Sequence, residues 1–392
     1  MQTSPYLSTM APDQPPPVRY LTDTFGPTLP TQEPPPPDTA FGVVGLDRNV
    51  HWHADPRMRE LLQACAPEPV PSSVAATRFG TDLLEEAVRR DWLQEPDDLC
   101  RDYHLRSGEI EVTAHCNWGC DFCPVSTDPK PQQTMPMDLF EEVTEKLAAL
   151  GTIEYVTFHF FNEPTLDKHF NERLEVLAGH GLPLALYTNA SGLNESKIEG
   201  LRRNGVLRHL IVNLPTADED RFSRLTRSRT HSRSLTNLGK ALDAGFPVQI
   251  VVNGVGESRD QDLQDLRERY EPLGAEVVPT MTCDRAGDVG GEYRQDIRVQ
   301  GRLTGCGWPL AHGNISVRGD LFLCCNDYYQ REVFGNIRDG ALDEIMRGEV
   351  AVGLRRKVFG VAQAADDFIC RRCHNQTLDF PGREFRPIAT FG

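Results

Sequence analysis

The sequence lacks three features that would assign it to common classes of protein. No apolar run among its 392 residues approaches the roughly 18–20 residues that a membrane-spanning helix needs. The first residues, MQTSPYLSTMAPDQPPP, contain neither the basic region nor the apolar region of a secretory signal. Positive charge is not in excess either, because the formal net charge is −16 and the pI is about 5.2. We therefore expect a cytoplasmic protein that binds neither a membrane nor a nucleic acid.

Cysteine, by contrast, is abundant, with 11 residues. In a reducing compartment thiols more often bind metals or take part in chemistry than form disulfides. Cys65 and Cys100 stand apart from the other cysteines, and we expect them to be buried thiols. His51 and His53 alternate in the segment HWH, where a solvated strand face is favoured over a metal site. Most of the remaining cysteines form two groups, which carry the functional prediction.

Composition and periodicity divide the chain into four segments. Residues 1–40 are rich in Pro, Thr, Asp and Gln, which predicts a disordered or polyproline-like tail. Residues 41–105 contain short apolar segments and two amphipathic helices, which predict a small α+β module. The pattern of this module resembles the PqqD-like winged-helix domains that recognise leader peptides, and a structural cap is the alternative. The other two segments, residues 106–292 and 293–392, have patterns of their own, which are described below.

The segment 106–292 contains six predicted strands that alternate with helices, from GEIEVTAH to AEVVPTMTC. Its first helix, PMDLFEEVTEKLAALG, has Pro136 at its start and Gly151 just past its end, as helix boundaries prefer. This alternation predicts a parallel α/β sheet with right-handed crossovers, in the form of a partial (β/α)6 barrel. Ligands of such sheets bind at the carboxyl ends of the strands. The loop after the first strand lies at that end.

That loop contains the first cysteine group, in the stretch HCNWGCDFCP. Cys116, Cys120 and Cys123 follow the spacing Cys-x3-Cys-x2-Cys. Three thiolates on one loop can bind three irons of a cubane 4Fe-4S cluster, whereas structural zinc requires four ligands. His115 could act as a fourth ligand only by folding back from the strand. Without it, one iron would stay open to another ligand.

The loop, with a strand before it and five βα units after it, resembles the cysteine loop of the radical S-adenosylmethionine enzymes. The resemblance covers roughly residues 107–290 and includes Phe122, the aromatic residue before the third cysteine. It implies that the open iron binds the amino and carboxylate groups of S-adenosylmethionine. An electron from the cluster would then give methionine and a 5′-deoxyadenosyl radical, which abstracts a hydrogen atom from the substrate. A flavodoxin or ferredoxin is the expected reductant.

The resemblance also implies cofactor-binding residues at the strand ends. Glu163, in FFNEP, fits the glutamate that binds the methionine amino group, although Phe161 and Asn162 replace the usual glycines. Residues after the third, fourth and fifth strands would contact the rest of the cofactor. The full set expected to bind the cofactor is Phe122, Asn162, Glu163, Thr188, Asn189, Asn213 and Asn253.

The second cysteine group lies in residues 293–392, which predict a small metal-binding domain. Spacing alone does not distinguish zinc from iron–sulfur there. The phrase CCNDYYQREVFGNIRDG is similar to the SPASM and twitch auxiliary-cluster domains of the same enzymes. Because no cysteine follows Cys373, the resemblance implies the shorter twitch form with one auxiliary 4Fe-4S cluster, the second of the chain. Cys325 is expected to be a buried thiol, and an exchange with Cys324 is the alternative. The predicted ligands are Cys306, Cys324, Cys370 and Cys373.

In the family that the chain resembles, an auxiliary cluster with four cysteine ligands implies an electron acceptor. The substrate radical would be oxidised by transferring its electron to that cluster. Such oxidation needs a base, and TMTCDRAGDVGG after the sixth strand supplies three candidate catalytic residues. Asp284 or Arg285 would direct deprotonation, whereas Cys283 would donate a hydrogen atom as in radical epimerases. Ordinary loop residues are an equally good interpretation of this segment.

Three functions remain open from the sequence. The first is a radical oxidoreductase acting on a small polar metabolite, such as an aminocyclitol, sugar or nucleoside, in natural-product biosynthesis, and the short auxiliary domain favours it. The second is a maturase that cross-links or epimerises a ribosomal peptide, which the module at 41–105 favours. The third is a non-enzymatic zinc or iron–sulfur protein, which would cleave no S-adenosylmethionine.

Overall fold

The architecture is that of a computed structural model, which describes residues 1–12, 22–23, 26–27, 35–46, 49–280 and 283–374. The chain divides into two compact units. The first contains Met1–His104, Arg298–Ala311 and the chain from Met346 onward. The second contains Leu105–Ile297 and His312–Ile345.

The N-terminal part of the first unit is an α+β module. Its strands are β1 (Gln2–Thr3), β2 (Ser8–Met10), β3 (Thr22–Asp23), β4 (Gly26–Pro27), β5 (Phe41–Val44), β6 (Val50–His53) and β7 (Leu93–Gln94). Its helices are α1 (Pro56–Ala64), α2 (Ser72–Phe79) and α3 (Thr81–Arg89). Strands β2, β5 and β6 form an antiparallel sheet in that order, and β1 pairs with β7. Met58 and Leu61 of α1 pack with Phe41, Val43 and the buried thiol of Cys65 in one apolar core.

The first residues of the chain belong to this module, which corrects the prediction of a disordered tail over residues 1–40. Strands β1 and β2 pair with β7 and β5, and Tyr6, Leu7 and Met10 are at most 4% exposed. Burial of these apolar side chains favours an ordered start, which the proline content of the following segment concealed. Residues 13–21, 24–25 and 28–34 of the predicted tail lie outside the described residues.

The second unit is built on six parallel strands in sequential order, with every neighbouring pair hydrogen-bonded. They are β8 (Ser107–Ile110), β9 (Tyr155–Thr157), β10 (Leu184–Thr188), β11 (Leu207–Asn213), β12 (Val248–Val252) and β13 (Glu276–Pro279). This arrangement confirms the predicted α/β fold with the parallel sheet of a partial (β/α)6 barrel.

Helices connect these strands. They are α4 (Met137–Ala149), α5 (Phe170–His180), α6 (Glu195–Asn204), α7 (Glu219–Thr226), α8 (His231–Asp243) and α9 (Gly256–Tyr270). Two helices, α7 and α8, occupy the connection between β11 and β12, where the sequence predicted only the second. Among the described residues, no helix is both long and apolar enough to cross a membrane.

The two faces of the parallel sheet differ in their surroundings. Phe158, just after β9, packs against Phe140 of α4 at 5.6 Å and Phe170 of α5 at 6.2 Å between ring centroids. Side chains alternate along a strand, so the residues on either side of Phe158 point to the opposite face, which we call the inner face. On β12 buried residues alternate with partly exposed Gln249 and Val251. The inner face is therefore partly open to a ligand.

Three more strands extend the same sheet beyond β8. They are β14 (His312–Ile315), parallel to β8, and the antiparallel β15 (Asp320–Phe322) and β16 (Val333–Asn336). The sequence had assigned NISVRG and LFLCC to a separate domain over residues 293–392. The structure joins them to the barrel sheet because the free edge of β8 offers unpaired backbone groups to another strand.

The remaining helices are α10 (Trp308–Ala311), α11 (Leu342–Arg347) and α12 (Glu349–Val358). In the first unit, buried Arg355 of α12 donates hydrogen bonds to the carbonyl oxygens of buried Cys100 at 2.9 Å and Met346 at 2.7 Å. The rings of Tyr6 and Phe359 meet edge to face at 4.8 Å. The N-terminal module and α12 are thus packed together in one unit.

Candidate active site

The cysteine loop between β8 and α4 is fixed by the end of α7. The Gly119 N–H donates to the carbonyl of Thr226 at 2.8 Å. The Asp121 N–H donates to the carbonyl of Leu225 at 3.1 Å. Both carbonyls lie in the last turn of α7, where a helix leaves carbonyl oxygens without intrahelical donors. The loop therefore depends on a helix that the sequence did not predict.

Trp118 anchors the same loop between its first two cysteines. Its buried ring packs edge to face on Phe222 of α7 at 5.0 Å, and its Nε1 donates to Thr230 Oγ1 at 2.9 Å. An indole that is packed and hydrogen-bonded restricts the loop on both sides. The contacts of Trp118 therefore help to fix the positions of Cys116 and Cys120 on either side of it.

The thiols of Cys116, Cys120 and Cys123 lie within electrostatic reach of one another. Burial raises the pKa of Cys116 to about 12 and the pKa of Cys120 well above its ordinary value, and neighbouring thiols add to both effects. Within the described part of the chain, no three His, Cys, Asp or Glu side chains converge on one metal-ion position. Thiolates that each bind a different iron of a cubane need not converge. Three thiols on one loop match the three protein ligands of such a cluster, whereas structural zinc requires four ligands.

Glu163 is the centre of a hydrogen-bonded cluster beside this loop. Its Oε1 accepts from Thr188 Oγ1 at 2.6 Å and from both the N–H, at 3.0 Å, and the hydroxyl of Thr165. Its Oε2 accepts from the Asn189 N–H at 2.6 Å. Burial raises the pKa of Glu163, and these hydrogen bonds oppose the increase. Three predicted cofactor residues, Glu163, Thr188 and Asn189, are therefore brought together.

A residue that the sequence did not single out connects this cluster to the cysteine loop. Asn117 lies between Cys116 and Cys120. Its Oδ1 accepts from Asn189 Nδ2 at 2.9 Å, and its Nδ2 donates to Ser191 Oγ at 2.9 Å. The only signal for it in the sequence is a polar residue inside the cysteine motif, which is too common to identify a role.

The two residues that replace the usual glycines have separate roles. Asn162 Oδ1 accepts from the Phe160 N–H at 2.7 Å and its Nδ2 donates to the Phe158 carbonyl at 3.0 Å, so its side chain supports its own turn. Phe161 has a φ of +53°, a left-handed conformation that glycine adopts without strain. Its ring packs edge to face on Tyr328 at 5.2 Å. The Phe161 ring makes this contact although the left-handed backbone conformation is unfavourable for residues other than glycine.

The other predicted cofactor residues occupy different positions. Asn213, at the end of β11, accepts a hydrogen bond at 2.8 Å from the side chain of Asn253, just after β12. Both remain partly exposed at the carboxyl edge of the sheet. Phe122 is buried, and its ring meets Tyr293 edge to face at 6.1 Å. Contact of these residues with a cofactor stays a prediction.

Arg285 lies within electrostatic reach of cysteines from both groups. Burial alone would lower its pKa, but the thiols of Cys283, Cys325, Cys123 and Cys324 raise it. Its guanidinium lies 5.4 Å from the centroid of the Phe161 ring, and its Nη1 donates to Asn326 Oδ1 at 3.2 Å. In the second unit, this cation therefore lies near the first cysteine loop and the Cys324–Cys325 pair.

The other two candidate catalytic residues are more enclosed than the sequence suggested. Cys283 and Asp284 are each 2% exposed. Asp284 Oδ2 accepts from the Gln295 N–H at 3.1 Å, and its carbonyl accepts from the N–H groups of Gly287 and Val289. Asp284 thus stabilises the turn after β13. A direct role of either residue in catalysis stays a prediction.

The predicted auxiliary ligands occur in both units. Cys306, Cys370 and Cys373 belong to the first unit, and Cys324 belongs to the second. Cys370 and Cys373 are buried in a turn where the Cys373 N–H donates to the Cys370 carbonyl at 3.3 Å. Cys325, expected to be buried, is partly exposed like Cys324. The choice between Cys324 and Cys325 therefore stays open.

The histidines of the N-terminal module have protein partners. His53 Nε2 lies 3.3 Å from Glu86 Oε2, and His51 Nδ1 lies 3.4 Å from Arg90 Nη1. Both side chains on the face of β6 therefore contact charged residues of α3 or of the residue just after it.

Two family models match the sequence. The model of the Radical SAM superfamily matches residues 110–269, and the model of the SPASM iron–sulfur cluster-binding domain matches residues 306–374. An S-adenosyl-L-methionine-dependent 2-deoxy-scyllo-inosamine dehydrogenase of Niallia circulans is 22% identical over 280 residues, covering 69% of this chain and 93% of that protein. A GTP 3′,8-cyclase of Paracoccus denitrificans is 25% identical over 303 residues, covering 64% of this chain and 85% of that protein.

Two solved structures share the fold. Streptococcus suis SuiB bound to its precursor peptide SuiA has a TM-score of 0.54 at 12% identity, covering 90% of this chain and 89% of that chain. The structure of anSMEcpe with bound AdoMet and a Cp18Cys peptide has a TM-score of 0.51 at 13% identity, covering 69% of this chain and 89% of that chain. The cysteine loop and both family models identify the chain as a radical S-adenosylmethionine enzyme with a SPASM iron–sulfur cluster-binding domain.

Proposed function

We propose that this enzyme oxidises a small polar molecule, such as an aminocyclitol, sugar or nucleoside, in natural-product biosynthesis. The position of Arg285, a half-buried cation near cysteines of both groups, carries the proposal. A guanidinium there can hold a substrate oxygen by directed hydrogen bonds. The Niallia circulans dehydrogenase, matched over 93% of its length, supports this choice of substrate class.

We assign the first cysteine group to a 4Fe-4S cluster and Glu163 to S-adenosylmethionine. When bound, these cofactors supply an electron and a carbon radical that abstracts a hydrogen atom. Cys116, Cys120 and Cys123 would hold three irons and leave the fourth open. Glu163 Oε2 accepts one hydrogen bond within the described structure, and a carboxylate oxygen can accept a second. The amino group of S-adenosylmethionine would donate that second hydrogen bond.

We assign the second cysteine group to one auxiliary 4Fe-4S cluster, which would accept the electron that the substrate radical loses. The proposed ligands are Cys306, Cys324, Cys370 and Cys373. Four thiolates close the coordination of a cluster, so no iron remains for S-adenosylmethionine. A flavodoxin- or ferredoxin-type protein would reduce the first cluster.

The number of clusters can be measured after anaerobic reconstitution. We expect about eight irons per chain, four for each cluster. Replacing Cys116, Cys120 and Cys123 together by Ala should leave about four irons and abolish 5′-deoxyadenosine formation, because only the auxiliary site would remain. Iron and sulfide assays, with chromatography of 5′-deoxyadenosine, measure both results. Cleavage of S-adenosylmethionine by the triple variant would refute the assignment.

The substrate class can be tested with deuterated 2-deoxy-scyllo-inosamine, the compound in the name of the Niallia circulans relative. We expect transfer of deuterium from the carbinol carbon into 5′-deoxyadenosine, together with formation of the ketone. Mass spectrometry of both products measures the outcome. A panel of labelled sugars and nucleosides extends the test, and absence of label transfer from every member would contradict the proposal.

Peptide maturation is a second candidate, favoured by one observation. The match with SuiB covers 90% of this chain, more than the part after His104 contains, so it extends into the N-terminal module. We infer that this module would then hold a leader peptide. A short precursor gene beside this one, and a mass change in its peptide on incubation with the enzyme, would favour maturation over oxidation of a small molecule.

A further inference from the structure

A network of buried polar side chains lies on the inner face at β8, β9 and β14. Thr157 Oγ1 donates to Glu109 Oε2 at 2.6 Å. Ser107 Oγ lies 3.0 Å from Glu109 Oε1 and 2.7 Å from His312 Nδ1. All four residues are at most 5% exposed. Because each is hydrogen-bonded, they form a closed polar floor that we call the floor network.

His159 lies next to the floor network but differs from it in exposure. It lies two residues beyond Thr157, so its side chain points to the same inner face. Its ring lies against the ring of Tyr187, with centroids 4.8 Å apart and planes at 33°. His159 is partly exposed, whereas the four residues of the floor network are buried. His159 lies just past the carboxyl end of β9, the edge of the sheet at which ligands of such folds bind.

The groups that face His159 are Tyr187, Glu109 and Arg285. Burial lowers the pKa of His159, the carboxylate of Glu109 opposes this effect, and the charge of Arg285 lowers the pKa further. Burial alone would raise the pKa of Glu109, but its hydrogen bond with His312 holds that pKa below its ordinary value. The imidazole is therefore neutral near pH 7 and can accept a proton.

Oxidation of an alcohol releases a proton, which a base must accept. Arg285 and Asp284, the two residues that the sequence suggested for this role, are unsuitable. Arg285 carries a guanidinium that stays protonated in proteins. Asp284 is 2% exposed and stabilises its own turn, so a substrate cannot reach its carboxylate. His159 combines an accessible surface with a neutral ring, and it lies within electrostatic reach of Arg285. This combination suits a base that acts on an oxygen held by a cation.

We propose that His159 is the catalytic residue that accepts the hydroxyl proton of the substrate during its oxidation. This proposal rests on the proposed function as a dehydrogenase. The carbinol carbon loses its hydrogen atom to the radical, and the O–H proton passes to His159. One electron leaves to an iron–sulfur acceptor of the class that the SPASM domain binds, and a C=O bond forms. Arg285 holds the oxygen, and Tyr187 supports the imidazole ring.

The first experiment compares His159→Gln with wild type in the reconstituted enzyme, using deuterated 2-deoxy-scyllo-inosamine. Glutamine keeps hydrogen-bonding capacity but cannot act as a base near neutral pH. We expect continued deuterium transfer into 5′-deoxyadenosine and a loss of ketone of about 10²-fold, the usual contribution of general base catalysis. The ratio of 5′-deoxyadenosine to ketone should rise accordingly. His180→Gln, an exposed histidine at the end of α5, should match wild type.

The pH profile separates a base from a structural residue. Ketone formation by wild type should fall as the pH decreases through the pKa of His159, whereas His159→Gln should show no such step. Added imidazole should restore part of the ketone in the variant. A variant that keeps a wild-type product ratio and pH profile would overturn the proposal. Absence of both label transfer and ketone in wild type would instead count against the proposed function.

A second measurement needs no substrate. Diethylpyrocarbonate modifies neutral, accessible imidazoles, and peptide mass mapping of the reconstituted enzyme reports the extent at each histidine. We expect modification of His159 with a midpoint below about pH 6.5, the value of free histidine. Replacing Arg285 by Gln should raise that midpoint, because it removes a positive charge. An unreactive His159, or a midpoint above that of free histidine, would exclude it as the base.

Discussion

At the scale of single residues, Glu163 shows how one side chain can have both a structural and a ligand-binding role. Three of its hydrogen bonds use Oε1 and one uses Oε2. These bonds connect the segment after β9 to the end of β10. The sequence predicted the role of this carboxylate toward the cofactor, but its partners Thr165, Thr188 and Asn189 became evident only in the folded chain.

We expect Glu163→Gln to weaken both folding and cofactor binding. A glutamine must place its NH2 group against the donors of either Thr165 or Asn189, whichever way the amide is oriented. Two hydrogen-bond donors that face each other in a buried site leave both without an acceptor. We expect this to lower the free energy of unfolding by about 1–3 kcal/mol. Thermal unfolding of the metal-free protein measures this change, and equilibrium dialysis of S-adenosylmethionine with the reconstituted enzyme measures binding.

Glu172→Gln provides the control for this change, because Glu172 is an exposed residue of α5. It should alter neither the melting temperature nor the binding of S-adenosylmethionine. Equal melting temperatures for Glu163→Gln and wild type would show that the cluster around Glu163 contributes little to stability.

The polar residues of the inner face have a signal in the sequence. In VTFHF, Thr157 and His159 alternate with Phe158 in a strand that helices cover on one side. A strand buried on both faces should be apolar throughout, so alternating polar residues indicate a polar inner face. The pattern identifies the face, whereas the contact between His159 and Tyr187 depends on the register of β9 and β10.

At the scale of elements, periodicity predicted the parallel strands and most of their helices. The exceptions are α7, which holds the cysteine loop, and β14–β16, which extend the barrel sheet. Helix α7 is only eight residues long, so its periodic signal is weak. The pairing of β14 with β8 joins residues about 200 positions apart, and no local pattern encodes such a contact.

The turn between β14 and β15 requires glycine at position 319. Gly319 has a φ of +86°, and a Cβ there would lie 2.9 Å from Ile337 Cγ2 and 3.1 Å from Leu139 Cδ1. We expect Gly319→Ala to lower the free energy of unfolding by about 1–2 kcal/mol, from left-handed strain and crowding. Urea denaturation of the metal-free protein measures the change.

Gly239→Ala is the matched control for Gly319→Ala. Gly239 lies inside α8, and no heavy atom lies within 4 Å of a Cβ built there. Alanine should therefore raise the stability by up to about 1 kcal/mol, because it favours the helix. Equal effects of the two substitutions would contradict the strain attributed to the turn.

At the scale of the whole molecule, the N-terminal module and helix α12 fold together in the first unit. Arg355 and Arg356 of α12 donate hydrogen bonds to carbonyl oxygens in residues 96–101 of the N-terminal module. Carbonyl groups bonded to a guanidinium are strongly stabilised when buried. The module is therefore part of a unit that also contains Cys306, Cys370 and Cys373.

We expect Arg355→Met to lower the free energy of unfolding by about 3 kcal/mol, because buried carbonyls lose a charged donor. The variant should also lose iron at the predicted auxiliary site, since α12 precedes Cys370 in the same unit. Melting temperature and iron content measure both effects. Arg202→Met, at an exposed ion pair of α6, is the control and should match wild type. A variant with wild-type stability would show that this contact is dispensable.

The sequence by itself determined the parallel fold and the chemistry of the first cysteine loop. Both follow from local information: hydrophobic periodicity, helix boundaries, and three thiols spaced within eight residues. Tertiary structure decided the burial of the first residues, the contacts of α7 with the cysteine loop, and the ring contact of His159 with Tyr187. These features depend on pairings between distant segments, whose energies arise only when the strands adopt their register and the faces of the sheet are defined.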